Sequence, residues 1–480
     1  MLIVATSGCS SSGHTTSDGQ FHPRAASFAP NAALKQKIDA LLADSLFPPS
    51  NVGMKIVSLT NGEVLYDLNS EMLFTPASNQ KLLTSAAALA TLGAEYQVTT
   101  TVYLDTTDGN RLIVKGGGDP LMSTGDIDSL ARLVSAYLPP GRSWLLTGDA
   151  TLFDEKNWGK GWMWDDEPDP TSMHISPLSV NGNAIKVHIR PGSKADESVV
   201  VRIEPETEFV SVQNTAITVA DSPMQPLKVT RLWRERSNVI EISGEMRIGD
   251  SIQMKQLSVW DPGQMFLALL SERLKNIGVE INGLSWDTAS STAIRIVQYQ
   301  HRMDSVILYM NRVSDNLSAE NILKIMGTEK YGQPGTTEHG LLVVKEYLHG
   351  LDIDTTRLVL ADGSGLSRYN LLSAGVLIHL LTAVHADTSL FDPLYHSLPT
   401  PGEDGSLARR MKGTPAEGRI RAKTGTMSGV SSLSGYAQTE DGETLAFAIL
   451  MQNFPGSVRS YRIVQDRICI LLSMLRLNEL

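Results

Sequence analysis

Cysteine is nearly absent. The 480 residues hold two, Cys9 and Cys469, far apart and without a Cys-x-x-Cys pair or a histidine at metal-ligand spacing. No disulfide framework, no metal site and no cofactor is expected. Basic charge is also in deficit: 41 Lys and Arg face 52 Asp and Glu, a net charge of -11. Nucleic-acid binders usually carry a basic patch or stripe, so no nucleic-acid partner is expected. No 18-residue apolar run exists, which argues against a helix crossing a membrane. His-Glu-x-x-His is missing too, which disfavours a zinc metallopeptidase. The rest is ordinary globular composition, 42% hydrophobic and 19% charged, on a chain long enough for two to four domains.

At the N-terminus, small residues lead up to Cys9, and a Ser-, Gly- and Thr-rich tract follows over residues 10–19. That pattern is similar to a bacterial lipoprotein box, so an exported protein is expected, in the periplasm or cell envelope, with membrane attachment through a lipid on Cys9. Thr6 stands where such boxes prefer leucine, and no basic segment precedes the apolar run, as in a leader whose start is cut short. The competing expectation is an unstructured terminus with an incidental cysteine.

Further on, helical spacing covers 33–45, and alternation over 52–68 brackets Asn61-Gly62, a strong hairpin signal. An alanine-rich helix is expected over 82–92, stopped by Gly93. From about 96 to 293 the chain reads as short strands, among them 98–104, 184–189, 198–203 and 239–242, interrupted by one helix at 262–277. Helices return at 305–313, 318–326 and 371–383. Strands follow at 419–425, 432–438 and 445–451, then a closing helix at 457–475. The class is α+β: the last three strands and the first hairpin form one antiparallel sheet flanked by helices, with large β-rich insertions.

Ser78 and Lys81, three residues apart at a helix start, share one face, so the amine can reach the hydroxyl. A serine hydroxyl needs a base, and lysine serves only where desolvation or a neighbouring cation keeps it neutral. Alone the pair is commonplace. Two further groups change its weight: Ser314-Asp315-Asn316 between helices, and Lys423-Thr424-Gly425 on a terminal strand. Ser314 would relay a proton between Lys81 and a leaving amine, and the Asn316 amide would hold a substrate carbonyl. Lys423 would attract a carboxylate and oppose protonation of Lys81. Gly425 would let an extended substrate lie along the strand edge. Met427 and Ser428 follow directly and would border the same pocket. Gly116 to Pro120 has no Gly-Lys-Ser/Thr behind it and reads as a turn, not a phosphate loop.

In this order the three motifs resemble those of the penicillin-recognising serine enzymes. Across nearly its whole length the chain resembles the type-4, low-molecular-mass class C penicillin-binding proteins, a family of D-alanyl-D-alanine carboxypeptidases and endopeptidases. Further local matches are Gly117-Gly118-Asp119-Pro120, Asn181-Gly182-Asn183, Leu317-Ser318-Ala319-Glu320, Asp362-Gly363-Ser364-Gly365-Leu366-Ser367-Arg368 and Thr426. The resemblance implies a penicillin-binding, serine β-lactamase-like peptidase domain from residues 33–95 and 296–480. It also implies an inserted second domain (96–184 and 258–295), a nested β-rich third (185–257), and a signal or lipobox remnant with linker over 1–32. The implied partners are peptidoglycan stem peptides and cross-links, with β-lactam antibiotics as inhibitors. Ser78 would be acylated by the penultimate D-alanine, and Ser78 and Thr426 N–H groups would form the oxyanion hole. Thr424 and Thr426 hydroxyls would lie near the substrate carboxylate. Arg368, with Asp166 or its neighbour Asp165, would read a diamino-acid side chain; Trp162 and Trp164 beside them serve equally as core. A β-lactamase shares the three motifs, and a catalytically silent wall-binding protein shares the fold. The long insertion argues against the first and the five intact polar residues against the second.

Overall fold

The computed structural model describes residues 32–43, 47, 50–106 and 110–477. The expectations placed on Cys9 and on the tract over 10–19 lie outside these residues.

Both ends of the described chain meet in one antiparallel five-stranded sheet. Its order is Ile420–Met427, Val430–Gln438, Thr444–Gln452, Asn51–Ser58, Val64–Leu68. The hairpin turns at Asn61-Gly62, with a bulge between Ile56 and Val57. Strand Thr444–Gln452 shows why the sequence there is apolar almost throughout: both faces are covered. Leu445, Phe447, Ile449 and Met451 point to one side, against helices Ala32–Leu42 and Arg459–Ser473. Ala446, Ala448 and Leu450 point to the other, where the two alanines leave room for helix Ala374–Ala386 to approach closely. Full burial of each large residue contributes about 1.5–3 kcal/mol.

The second face of the sheet also covers helix Gln80–Thr91, which is buried from Gln80 to Leu89 among helices Met303–Val313, Asn316–Tyr331 and Thr337–Gly350. A helix buried all round holds its N-terminal end rigidly, and Ser78 sits on the short turn that leads into it. Helices Thr337–Gly350 and Thr388–Ser397 were not expected from the sequence, though Thr336 and Asp387 cap them through His339 and Ser389 N–H.

Between the two halves lies the insertion, with a core of its own. Its largest sheet runs Glu280–Trp286, Ser143–Asp149, Arg111–Lys115, Gln97–Asp105, Ile294–Arg302. The first three strands are parallel, which requires crossover connections, and helices Thr124–Ser135 and Pro262–Asn276 supply them. The expectation of a single helix in this stretch is therefore corrected. Thr124–Ser135 is announced by a Ser123/Asp126 capping box and by Ile127, Leu130, Ala131 and Val134 on one face. Strand Ile294–Arg302 pairs with Gln97–Asp105 along its whole length, so the boundary expected at 295/296 falls inside a strand. Residues 184–258 add three small sheets, including Gln253–Ser258, Ala184–Arg190 and Val200–Glu204. Among the described residues no single helix is long and apolar enough to cross a membrane.

Candidate active site

Ser78 lies in a 3-10 turn, Ala77–Asn79, that runs straight into helix Gln80–Thr91. Ala77 is held at φ 47°, a left-handed conformation costing a β-carbon residue about 1–3 kcal/mol. Two tight contacts impose it: Ser432 Oγ donates to Pro76 O at 2.7 Å, and Gly365 presses so closely that a β-carbon there would lie 1.9 Å from Ala77 O. Gly425 approaches from the edge strand, where a β-carbon would stand 3.0 Å from Ser78 N. Its bare backbone thus keeps the Ser78 N–H open, a task beyond the substrate-bearing strand edge expected of it.

Beneath Ser78, Lys81 is fully buried. Its Nζ lies 3.1 Å from Ser78 Oγ and donates to Asn316 Oδ1 at 2.6 Å and to Ser364 O at 2.7 Å. A neutral amine has two N–H bonds and one lone pair. Two acceptors and one hydroxyl suit that inventory: once the amine loses its proton, two N–H bonds stay with Asn316 Oδ1 and Ser364 O and the lone pair is left for the Ser78 hydroxyl. Burial lowers the Lys81 pKa to about 8, against the upward pull of Asp362, Asp315 and Glu320.

Lys423, also fully buried, donates to Ser314 Oγ at 2.8 Å and to Thr424 O at 3.0 Å. Desolvation, and then Lys81, push its pKa well down. Ser314 closes helix Met303–Val313 in a left-handed turn, φ 63°, that aims its hydroxyl at this lysine. The expected link from Ser314 to Lys81 is thus not a direct one: Lys423 holds Ser314, and Asn316 holds Lys81. The Asn316 amide is likewise engaged at both ends, its Nδ2 donating to Thr171 O at 2.8 Å. Thr171 belongs to the insertion and was not foreseen as a site residue. Its signal is slight, an Asp169-Pro170 pair whose carboxylate caps the turn Pro170–Ser172.

Ser78, Ser314, Asn316, Thr424, Thr426 and Met427 line one open cavity of about 270 Å³, completed by Thr171, Val313, Gly365 and Leu366. Because Ile420–Met427 is the outermost strand, its free edge faces this cavity. Arg368 sits at the rim, its Nη2 donating to Ser428 O at 2.9 Å. Only the backbone of Ser428 is used in that contact. Asp166 is half-buried on the turn Trp164–Asp166 and does not line the cavity; Asp165 is exposed. Desolvation, Asp165 and Asp169 raise the Asp166 pKa, and Arg368 opposes them. The two tryptophans part company. Trp162 is core, donating from Nε1 to Asp362 Oδ2 at 2.9 Å, whereas Trp164 is 65% exposed beside Trp233.

Asp362 and Glu320 were only letters in matched motifs, yet they shape the floor. Asp362 accepts N–H from Gly365 at 2.8 Å and Ser367 at 2.6 Å, and the Asn370 amide at 2.7 Å. Glu320 accepts the N–H of Ser364 at 2.8 Å and of Gly363 at 3.1 Å. Burial and then Asp362 push the Glu320 carboxyl up, against those N–H groups. Together the two acids fix the loop whose Ser364 carbonyl holds Lys81.

Since only neutral Lys81 can accept the hydroxyl proton, the second-order rate of penicillin acylation should rise with pH through about 8 and then level off. Stopped-flow acylation between about pH 6 and 10 checks this, and a flat profile would remove Lys81 from the role of base.

The family described as D-Ala-D-Ala carboxypeptidase 3 (S13) matches residues 34–469, and the chain belongs to that family. A D-alanyl-D-alanine carboxypeptidase of Actinomadura sp. (strain R39) is 33% identical over 465 residues, covering 92% of this chain and 84% of that protein. In structure the chain is similar to penicillin binding protein 4 (dacB) of Haemophilus influenzae, with a TM-score of 0.79 and 22% identity over 91% of this chain and 99% of that one. The same H. influenzae protein complexed with a β-lactam superposes with a TM-score of 0.75 and 20% identity, over 92% of this chain and 100% of that one. At these identities the two solved structures establish the fold.

Proposed function

We propose that this chain cleaves the D-alanyl-D-alanine end of peptidoglycan stem peptides, and the corresponding cross-links, through an acyl-enzyme on Ser78. The observation that carries the reading is the Lys81 amine, with two acceptors and one hydroxyl in reach. Ser78 Oγ attacks the carbonyl carbon of the penultimate D-alanine while its proton passes to Lys81 Nζ. The carbonyl electrons move to oxygen, held by the N–H groups of Ser78 and Thr426. As the C–N bond breaks, the proton taken up by Lys81 passes to the leaving amine by way of Ser314, which Lys423 holds. Water then attacks the ester, releasing the shortened peptide and restoring Ser78. Thr424 and Thr426 receive the substrate carboxylate. Asp166, with Arg368, faces the third residue of the stem, where a carboxylate near a guanidinium suits a side chain bearing both an amine and an acid.

Incubation with defined muropeptides, followed by mass spectrometry of products and of any penicillin adduct, tests this reading. Loss of one D-alanine from pentapeptides, scission of cross-linked dimers and a stable adduct on Ser78 are the expected results. Rapid turnover of a chromogenic cephalosporin without an adduct would favour a β-lactamase instead. In the same panel, Asp166→Asn should narrow the preference between diaminopimelate and lysine stems; an unchanged ratio would remove Asp166 from that role. The reading carries a location with it: small residues before Cys9 and the Ser-, Gly- and Thr-rich tract behind it support an exported protein of the cell envelope, lipid-anchored at Cys9.

A further inference from the structure

A cation that no motif announces stands at the carboxylate end of the cleft. Arg462 projects from helix Arg459–Ser473, and its Nη2 donates to Thr426 Oγ1 at 2.8 Å. Thr426 lines the cavity that holds Ser78. Nearby, Asp466 is already committed to Arg410, which reaches it from Nε at 2.8 Å and from Nη2 at 2.6 Å. Arg410 Nη2 also donates to Arg462 O at 3.3 Å and to Gln465 Oε1 at 3.2 Å. The cluster therefore holds two guanidinium groups and one carboxylate. Among the described residues no carboxylate lies within ion-pair distance of Arg462, so the surplus positive charge falls on the group that touches the cleft. A half-buried guanidinium that shares its one nearby carboxylate, Asp466, with a second arginine is costly unless an anion completes it.

Lys423 cannot fill the same place well. It lies fully buried under the strand, its amine engaged by Ser314 and Thr424 O. An arginine keeps its charge at any working pH and offers a planar fork matched to a carboxylate.

We propose that Arg462 is a specificity-determining residue that, with the Thr426 hydroxyl, binds the free carboxylate of the substrate's terminal residue. This rests on the peptidase reading and adds to it the group that tells a free C-terminus from an amide or a blocked end. The fork turns from Thr426 Oγ1 to the incoming carboxylate, and the threonine hydroxyl, freed as an acceptor, donates to the same anion.

Two substrates test it on the full chain: a tripeptide ending in D-alanyl-D-alanine, and an acyl-D-alanyl p-nitroanilide, whose activated leaving group has no carboxylate. Arg462→Ala should lower kcat/KM for the tripeptide about tenfold to a hundredfold, mainly through KM, and leave the anilide within about twofold. Arg462→Lys should recover part of the loss, because charge returns without the fork. An equal loss on both substrates would show a structural role and overturn the inference. So would an unchanged tripeptide rate. The anilide doubles as the folding control, since a misfolded variant loses both reactions together with its melting transition, and Arg462→Lys then decides by the same ratio. A wild-type protein silent on both substrates would instead overturn the peptidase reading, and this inference with it.

Discussion

Replacing Ser78 by alanine should abolish the penicillin adduct and cut D-alanine release by about 10⁴-fold or more, the usual scale when an acylated serine is removed from its base. The fold should survive. The Ser78 side chain is only half-buried and makes one side-chain hydrogen bond, so its loss costs about 1 kcal/mol. The strain at Ala77 and the contacts of Gly365 and Gly425 do not depend on the hydroxyl. Intact-mass measurement after penicillin treatment, beside a melting curve, checks both halves. An adduct forming at the wild-type rate on Ser78→Ala would place the nucleophile elsewhere.

Lys81 should be nearly as consequential, for a different reason. Lys81→Ala is expected to slow acylation by about 10³-fold, within the range of a positioned general base. Lys81→Arg separates base from charge: a guanidinium retains the cation and cannot give up its proton, so it should be as slow as alanine. Stability responds too. Without the amine, Asn316 Oδ1 and Ser364 O each lose a buried donor, at about 1–3 kcal/mol apiece, partly offset because a desolvated amine is no longer buried. Second-order acylation rates measured alongside melting temperatures separate the two effects. Acylation of Lys81→Ala within tenfold of wild type would end the case for lysine as the base.

What the sequence makes legible here is chemistry of rare type at rare spacing. Ser78, Lys81, Ser314, Asn316 and Lys423 stand out because three short motifs recur in one order, and the structure gathers all five around one cleft. Their partners are of common type and owe their placement to tertiary packing. Nothing around Thr171 announces that its carbonyl will take the Asn316 amide. Nor does anything mark Arg462, on a helix after the last strand, as the neighbour of Thr426. Asp362 and Glu320 appear in matched stretches, but only the loop they hold gives them a task. The same division applies to secondary structure. The hairpin at Asn61-Gly62 follows from turn chemistry alone, while helix Thr124–Ser135 is masked by the strands on either side despite its capping box. The strand ending at Arg302 runs on because Gln97–Asp105 offers a full-length partner, a fact its own residues do not record.

The sheet that joins the chain's two ends also sets an order of assembly. Asn51 pairs with Gln452 and Ser58 with Leu445, so strand Asn51–Ser58 has no neighbour on that side until the last part of the chain has been made. Contacts of such sequence separation form late, because the intervening segment must first be drawn into a loop. The insertion has its own hydrophobic core and can collapse earlier, shortening the effective loop that the terminal strands must close. Ser78 gains its edge strand, and Lys81 its neighbour Lys423, only at this final step. Competence to form an acyl-enzyme is thus coupled to completion of the chain, and an unfinished or clipped molecule carries the serine without the surroundings that make it reactive.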